Sequence, residues 1–203
     1  MPKDTLRRKI RERRAALTPV EVAERSRAAI MHLQACPPVQ RARQLACFMA
    51  LPHEVQTQNF VADCMAEGRR VCVPRQAGSG YAWSWISATT QWQPGALGIA
   101  EPAETAPVEV DGLDVVIVPA VAVDTTGNRL GHGGGHYDRL LADFAGPRIG
   151  LIFDFQRVPT VPAAAHDIPL TAVVTESGYF PLQDTLSKQQ PKKENGAPVN
   201  GGP

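Results

Sequence analysis

The 203-residue chain lacks any uninterrupted apolar run near the ~20 residues that cross a bilayer, so no transmembrane helix and no membrane partner are expected. It also lacks net charge: 21 basic against 20 acidic side chains leave +1 at neutral pH. A protein built mainly to coat nucleic acid carries a clear basic excess, so nucleic acid is not expected as the partner. The N-terminus is basic (Lys3, Arg7, Arg8, Lys9, Arg11, Arg13, Arg14), but no apolar segment follows it as in a secretory signal. The expected location is therefore cytoplasmic. Cysteine is sparse: Cys36, Cys47, Cys64 and Cys72 are scattered and form no C-x-x-C pair. That spacing argues against a disulfide framework or zinc knuckle and points to small buried thiols. No internal repeat is present. What remains, 43% hydrophobic and 20% charged, suits one globular domain with a sizeable core.

Residues 3–17 read as an arginine-rich helix. Thr18 is a good N-cap, Pro19 suits the first helical position, and Glu21 stands three residues after the cap. Together they predict a capping box opening a second helix over about 19–33. Cys36-Pro37-Pro38 stops it. Strand-like runs at 44–51 and 70–74 flank a helical stretch at 60–67, which predicts a βαβ unit and a parallel strand pair. Residues 76–80 form a turn and 81–86 a half-exposed strand. Residues 93–110, rich in Pro, Gly and Glu, read as a long irregular loop, often a functional feature. The run DVVIVP at 114–119 marks a strand buried on both faces. A glycine-rich stretch follows, then a helix over 137–144, a buried strand at 148–153 and a last strand at 172–175. Residues 184–203 are too polar to order. The expected architecture is α/β: a single domain over 1–183, a mostly parallel sheet flanked by helices, a helical N-terminal arm, and a disordered tail over 184–203.

The glycine-rich stretch lies at the carboxyl end of a buried strand, the edge where open α/β sheets bind ligands. Gly131, Gly133, Gly134 and Gly135 leave backbone N–H groups uncovered by side chains, and a helix starts just beyond them. Such a turn suits an anion, a phosphate chain above all. Arg129 and Arg139 are placed to add charge-assisted hydrogen bonds, and Asp138 to hold Mg2+ with phosphate oxygens completing the shell. No G-K-[ST] follows the glycines, so this is not a Walker A loop; nor is it a dinucleotide fingerprint, lying late in the chain. A turn needing positive φ and nothing more would explain one glycine. It does not explain four beside Arg and Asp. His132 and His136 are four residues apart, but the glycines between them are poor helix formers for an i,i+4 zinc pair. The HGGG run resembles an esterase oxyanion segment, yet the chain has no G-x-S-x-G nucleophile turn.

With these residues in view, the chain resembles the 5-formyltetrahydrofolate cyclo-ligase (methenyltetrahydrofolate synthetase) family. The family signature D-x-x-G-x-R-L-G-x-G-x-G-x-Y-D is matched without a gap by residues 124–138. Other matches follow in order: Lys3-Asp4-Thr5-Leu6-Arg7, Glu54-Val55-Gln56-Thr57, Val73-Pro74-Arg75, Glu101-Pro102, His166-Asp167-Ile168-Pro169 and Val173-Val174-Thr175-Glu176. The chain departs at His136, where the family usually has Tyr, at Val123, where Phe is frequent, and at Leu97, where an aromatic often stands.

The resemblance implies ATP- and Mg2+-dependent cyclisation of 5-formyltetrahydrofolate to 5,10-methenyltetrahydrofolate, with ADP and phosphate released. It implies an iminium-phosphate intermediate formed by phosphorylating the formyl oxygen. It makes Lys3, Arg7, Arg129, Gly131, His132, Gly133, Gly134, Gly135, His136, Tyr137 and Asp138 the ATP-binding set. Asp138 becomes the Mg2+ carboxylate, Arg129 and Asp138 the catalytic pair, and Glu54 and Tyr137 the folate contacts. Without the resemblance, Lys3 and Arg7 read as solvated charges and Glu54 as a helix-initiating acid. His166-Asp167 reads equally as a surface pair or a hydrogen bond before Pro169. Tyr81, Trp83 and Trp85 read as cross-strand packing or one wall of a pterin pocket. A monomer is expected. The alternatives are an ATP-binding relative with another substrate and, more remotely, a nucleic-acid-binding module using the basic first helix.

Overall fold

The N-terminal arm is a helix because it has an apolar stripe to bury. In the computed structural model, which describes residues 1–95, 98–164 and 167–182, α1 (Lys3–Ala15) buries Leu6, Ile10 and Arg14, spaced i, i+4, i+8 on one face. Leu6 and Ile10 pack on Val121, Ala122, Leu130 and Val161. α2 (Pro19–Ala35) opens with the expected capping box: Thr18 Oγ1 accepts from Glu21 N at 3.2 Å, and Glu21 Oε2 accepts from Thr18 N at 2.8 Å. A one-turn α3 (Pro37–Arg41) follows the Cys36-Pro37 stop.

The predicted βαβ unit forms from β1 (Gln44–Ala46), α4 (Gln58–Ala66) and β2 (Arg70–Ala77), with Gln44 opposite Arg70 in a parallel pair. Beyond it come β3 (Gly80–Ile86), β4 (Trp92–Pro94), β5 (Ala100–Pro102), β6 (Val115–Val118), β7 (Ala122–Val123), β8 (Arg129–Leu130), α5 (His136–Leu140), β9 (Arg148–Leu151), β10 (Ala172–Thr175) and β11 (Gly178–Pro181). The main sheet has seven strands in the order β11-β10-β9-β6-β1-β2-β3. Its interior is parallel from β10 to β2, and antiparallel β3 and β11 close the two edges. The expected α/β class, mostly parallel sheet, flanking helices and N-terminal helical arm are all present.

Strand alternation divides the core into two layers. Leu45, Val71, Val73, Val115 and Ile117 point into a cluster with Leu33, Val39 and Phe60 from α2, α3 and α4. Their neighbours Ala46, Cys72, Val116 and Val118 point the other way, onto Trp83, Leu140, Leu141 and Phe144. All four cysteines are buried free thiols, as expected. Among the described residues no helix is long and apolar enough to cross a membrane.

Chain order places the crevice. From β1 the chain moves to β2 on one side, then returns to β6 on the other and continues outward to β9 and β10. The reversal between β1 and β6 is the switch point at which doubly wound sheets open a ligand crevice.

Several expectations need correction. The run 44–51 supplies only the three residues of β1 before the chain leaves the sheet. The expected loop 93–110 contains part of the β4–β5 hairpin, held to β2 by Arg75, whose Nε donates to Pro102 O at 2.9 Å. The helix expected over 137–144 ends at Leu140. Trp83 Nε1 donates to Leu140 O at 3.2 Å, and Phe144 N turns instead to Leu141 O at 3.0 Å. The strand expected over 148–153 ends at Leu151, and β10 is followed by one more strand, β11. The 184–203 tail, Leu97 and His166 lie outside the described residues.

Candidate active site

A cavity of about 540 Å3 opens where the switch point predicts. Phe48, Met49, Leu51 and Glu54 enter it from the segment after β1, and Pro119 from the end of β6. Lys3 and Arg7 reach it from α1, Arg129 from β8, and Tyr137 and Asp138 from α5. Gly131, His132, Gly133, Gly134, Gly135 and His136 line it as well, so of the residues expected at the nucleotide, metal and folate positions all but Arg139 face one cleft. Its volume falls in the range of small-molecule sites, about 300–1,000 Å3.

The turn that leads into the glycine loop, between β7 and β8, is built by Asp124. Its Oδ1 accepts from Thr126 N (2.9 Å), Thr126 Oγ1 (2.7 Å) and Asn128 N (3.0 Å), and its Oδ2 from Asn128 Nδ2 (3.1 Å) and Val161 N (2.9 Å). Burial pushes the Asp124 pKa up, but these donors outweigh it and hold the carboxyl below its ordinary value. The first acid of the signature is thus an organiser of the β7–β8 hairpin. Sequence inspection did not foresee that hairpin, because its strands are two residues long.

The hairpin delivers Arg129 to the cleft. Arg129 Nη2 lies 2.6 Å from Asp138 Oδ1, with the arginine side chain 4% exposed and the aspartate 19%. Burial lowers the Arg129 pKa while the Asp138 charge opposes the shift; a guanidinium stays charged even so. Arg129 Nε is buried without a hydrogen-bond partner, as is the Tyr137 hydroxyl. Burial raises the Tyr137 pKa well above its ordinary value, so the phenol is neutral. Arg14 Nε is buried and unpaired in the same way; such atoms beside a cavity are positions that a ligand or an ordered water can satisfy.

The glycine loop is gripped by its carbonyls. Arg7 Nε donates to Gly131 O at 2.9 Å, Arg11 Nη2 to His132 O at 3.3 Å, and Arg139 Nη2 to Gly134 O at 2.9 Å. Among the described residues, no protein acceptor takes an N–H of Gly133, Gly134 or Gly135. Gly133, at φ +115°, needs the freedom of glycine. Arg139, expected to reach the anion, instead braces the loop from outside. α5 adds only a five-residue turn behind it.

Glu54 enters the cleft from the segment after β1, 7% exposed. Its Oε1 accepts from Arg14 Nη1 and His132 Nε2, both at 3.1 Å, and its Oε2 from Leu51 N at 3.1 Å. Burial pushes its pKa up, but the His132 hydrogen bond and the Arg14 charge prevail and hold it below the ordinary value. Arg14 was missed as a site-supporting residue. The available signal was a charge on the same α1 stripe as Leu6 and Ile10, which demands a buried partner. Asp167, left open above, also lines the cleft; its Oδ2 meets Lys3 Nζ at 3.2 Å and Ala164 N at 2.7 Å. Asp138 Oδ1 also receives Ile168 N at 3.2 Å, which packs the 167–168 segment against the signature acid.

Of the three aromatics on β3, Tyr81 lines the cleft and meets the His136 ring edge-on at 4.8 Å. Trp83 packs beneath Tyr137 at 6.1 Å, and Trp85 lies under the Arg70 guanidinium at 4.0 Å. Glu101, 3% exposed, enters the cleft from β5 and accepts from Gln76 N at 2.9 Å. Val123 is buried in β7, away from the cavity wall.

Taken together, the doubly wound sheet and its switch-point cleft define an α/β protein whose candidate ligand site is lined by a glycine loop and a buried carboxylate. The family model of the 5-formyltetrahydrofolate cyclo-ligase family matches residues 1–176. The 5-formyltetrahydrofolate cyclo-ligase of Escherichia coli (strain K12) is 35% identical over 177 residues, spanning 83% of this chain and 97% of that protein. The mouse protein of the same name is 26% identical over 190 residues, spanning 84% and 92%. The NMR structure of Aquifex aeolicus 5,10-methenyltetrahydrofolate synthetase aligns with a TM-score of 0.82 at 30% identity, covering 96% of this chain and 100% of that one. The chain belongs to the 5-formyltetrahydrofolate cyclo-ligase family, a family of ligases.

Proposed function

We propose that this enzyme closes 5-formyltetrahydrofolate to 5,10-methenyltetrahydrofolate at the expense of ATP, with Mg2+ at Asp138. The observation that carries the reading is the meeting, in one cleft, of an anion-ready glycine loop and a buried carboxylate. Lys3, Arg7 and Arg129 stand on the loop side, suited to a triphosphate. Glu54 stands opposite, suited to accept paired N–H groups from a pterin. Tyr137, between them, has a buried hydroxyl to give to either substrate.

The chemistry follows from what the substrate lacks. A formamide oxygen is a poor leaving group, so N10 cannot displace it directly. Moving the γ-phosphoryl group from ATP to that oxygen breaks the bond to ADP and converts the oxygen into part of a phosphate ester. N10 then attacks the formyl carbon, loses its proton, and phosphate departs with the oxygen. Such transfer depends on alignment and charge stabilisation. The loop amides and the Arg129 guanidinium supply both. Glu54 and the Tyr137 hydroxyl orient the folate so that its formyl oxygen faces the loop.

The donor set fits a hard cation. Among the described residues no three His, Cys, Asp or Glu side chains form a ready cage. Mg2+ does not need one, since it takes one or two carboxylates and completes its shell with phosphate oxygens and water. Asp138 would hold it, with Asp167 beside the same cleft, and the ion would neutralise charge on the phosphates.

The test is to mix the protein with 5-formyltetrahydrofolate, ATP and Mg2+ and follow absorbance of the methenyl product. Turnover that requires both ATP and Mg2+ is expected. No turnover by folded protein, or turnover without ATP, overturns the proposal; ATP binding without folate turnover would indicate a relative with another substrate.

A further inference from the structure

The 131–135 loop carries one side chain, that of His132, and it is not directed at the loop's own amides. Its Nε2 lies 3.1 Å from Glu54 Oε1 and its Nδ1 3.3 Å from Arg11 Nη2. An arginine N–H only donates, so Nδ1 accepts, and Nε2 carries the hydrogen given to Glu54. The one side chain of the nucleotide-side loop is therefore bound to the folate-side carboxylate.

Glu54 Oε1 is fully committed in this arrangement. It takes both His132 Nε2 and Arg14 Nη1, which occupies its two lone pairs. A pterin that presents two parallel N–H groups needs a place on each carboxylate oxygen, so one donor must leave Oε1. Arg14 is the fixed one: its side chain is 7% exposed, on the buried stripe of α1. His132 is the one able to go. Its side chain is 34% exposed, and it stands between glycines, with Gly133 in the left-handed region.

The loop is also held by a contact that a nucleotide would break. Arg7 Nε donates to the neutral Gly131 carbonyl at 2.9 Å. A phosphate oxygen in the same cleft is a stronger acceptor for a guanidinium than a neutral carbonyl. Capture of Arg7 by phosphate frees Gly131, and the loop amides then turn to the same anion.

We infer that His132 is a positioning residue that couples the two halves of the cleft: it blocks Glu54 Oε1 until nucleotide draws the loop away, so that nucleotide binding opens the folate position. This rests on the cyclo-ligase reading above and adds an order of binding to it. Linkage makes the effect reciprocal, so folate tightens nucleotide by the same factor.

The experiment measures the Kd of 5-formyltetrahydrofolate by isothermal titration calorimetry, alone and with a saturating non-hydrolysable ATP analogue and Mg2+. In the wild-type protein the analogue is expected to tighten folate roughly tenfold, within the usual span of such couplings. In His132→Ala, folate alone should bind about as tightly as it does to the nucleotide-loaded wild type, with little further gain from the analogue. His132→Gln keeps an N–H donor for Glu54 and should restore the coupling, which a merely structural role would not do. An unchanged folate Kd with analogue in the wild type, or wild-type coupling in His132→Ala, overturns the inference while leaving the cyclo-ligase reading intact. Absence of folate binding under every condition takes down both.

Discussion

Arg129 and Asp138 meet at 2.6 Å across the glycine loop, one opening β8 and the other on α5. The pair joins the residue proposed for phosphate charge with the residue proposed for Mg2+, so one contact would couple the two roles. Arg129→Ala is expected to lower turnover by at least about a hundredfold, the scale of losing a preorganised charged donor. Stability should fall by only about 1–2 kcal/mol, because Asp138 is partly reached by water and does not become a fully buried lone charge. Steady-state kinetics and thermal melts on the same preparation check both halves. Near-normal turnover would remove Arg129 from the phosphate site.

Glu54→Gln should weaken folate binding and also change the acid response. The folded-state pKa of Glu54 lies below its ordinary value of 4.5. Its ionised form therefore contributes stability above the unfolded value, and that contribution is lost as pH falls through the lower folded value. At neutral pH the variant is expected to be less stable by about 3 kcal/mol, the scale of breaking a buried pair. The gap from wild type should narrow as pH drops below the ordinary value. Denaturant melts across an acid series measure it, and a constant gap would show that Glu54 is not titrating against Arg14 and His132.

Asp124→Ala separates architecture from chemistry. Five donors lose their acceptor, including the buried Val161 N–H. A loss of about 2–4 kcal/mol is expected, from unsatisfied buried donors and a loosened hairpin. Turnover per folded molecule should fall far less than in Arg129→Ala. A variant that stays fully stable but inactive would instead give Asp124 a chemical role.

Gly127 and Gly78 make a controlled pair. Both have positive φ, +88° and +57°, but an added Cβ at Gly127 would meet Leu170 O at 2.5 Å, whereas at Gly78 it meets nothing within 4 Å. Gly78→Ala should cost about 1 kcal/mol for backbone strain alone. Gly127→Ala should cost roughly 1–3 kcal/mol more, because backbone must move to make room. Equal melting temperatures would show that the β7–β8 turn yields freely to the 167–170 segment.

How much of this was legible in the sequence depends on the distance between partners. The capping box was readable because Thr18 and Glu21 are neighbours on one turn. The βαβ unit was readable because strand, helix and strand are each locally patterned. The β4–β5 hairpin was not: all of β4 is exposed, so no alternation marks it. The end of α5 was not either, since Trp83, which takes the Leu140 carbonyl, lies 57 positions away.

The same rule divides the site. The sequence alone determined the chemistry on offer, because glycines, arginine and aspartate packed into 124–138 can serve an anion in almost any local geometry. Tertiary structure decided what that stretch faces. Glu54 meets Arg14 across 40 positions and His132 across 78, and only the reversal of strand order between β1 and β6 brings those segments to one crevice. The near-zero net charge did not indicate where the charges gather. Burial decided that, by pairing Arg14 with Glu54 and Arg129 with Asp138 where water reaches little of either pair.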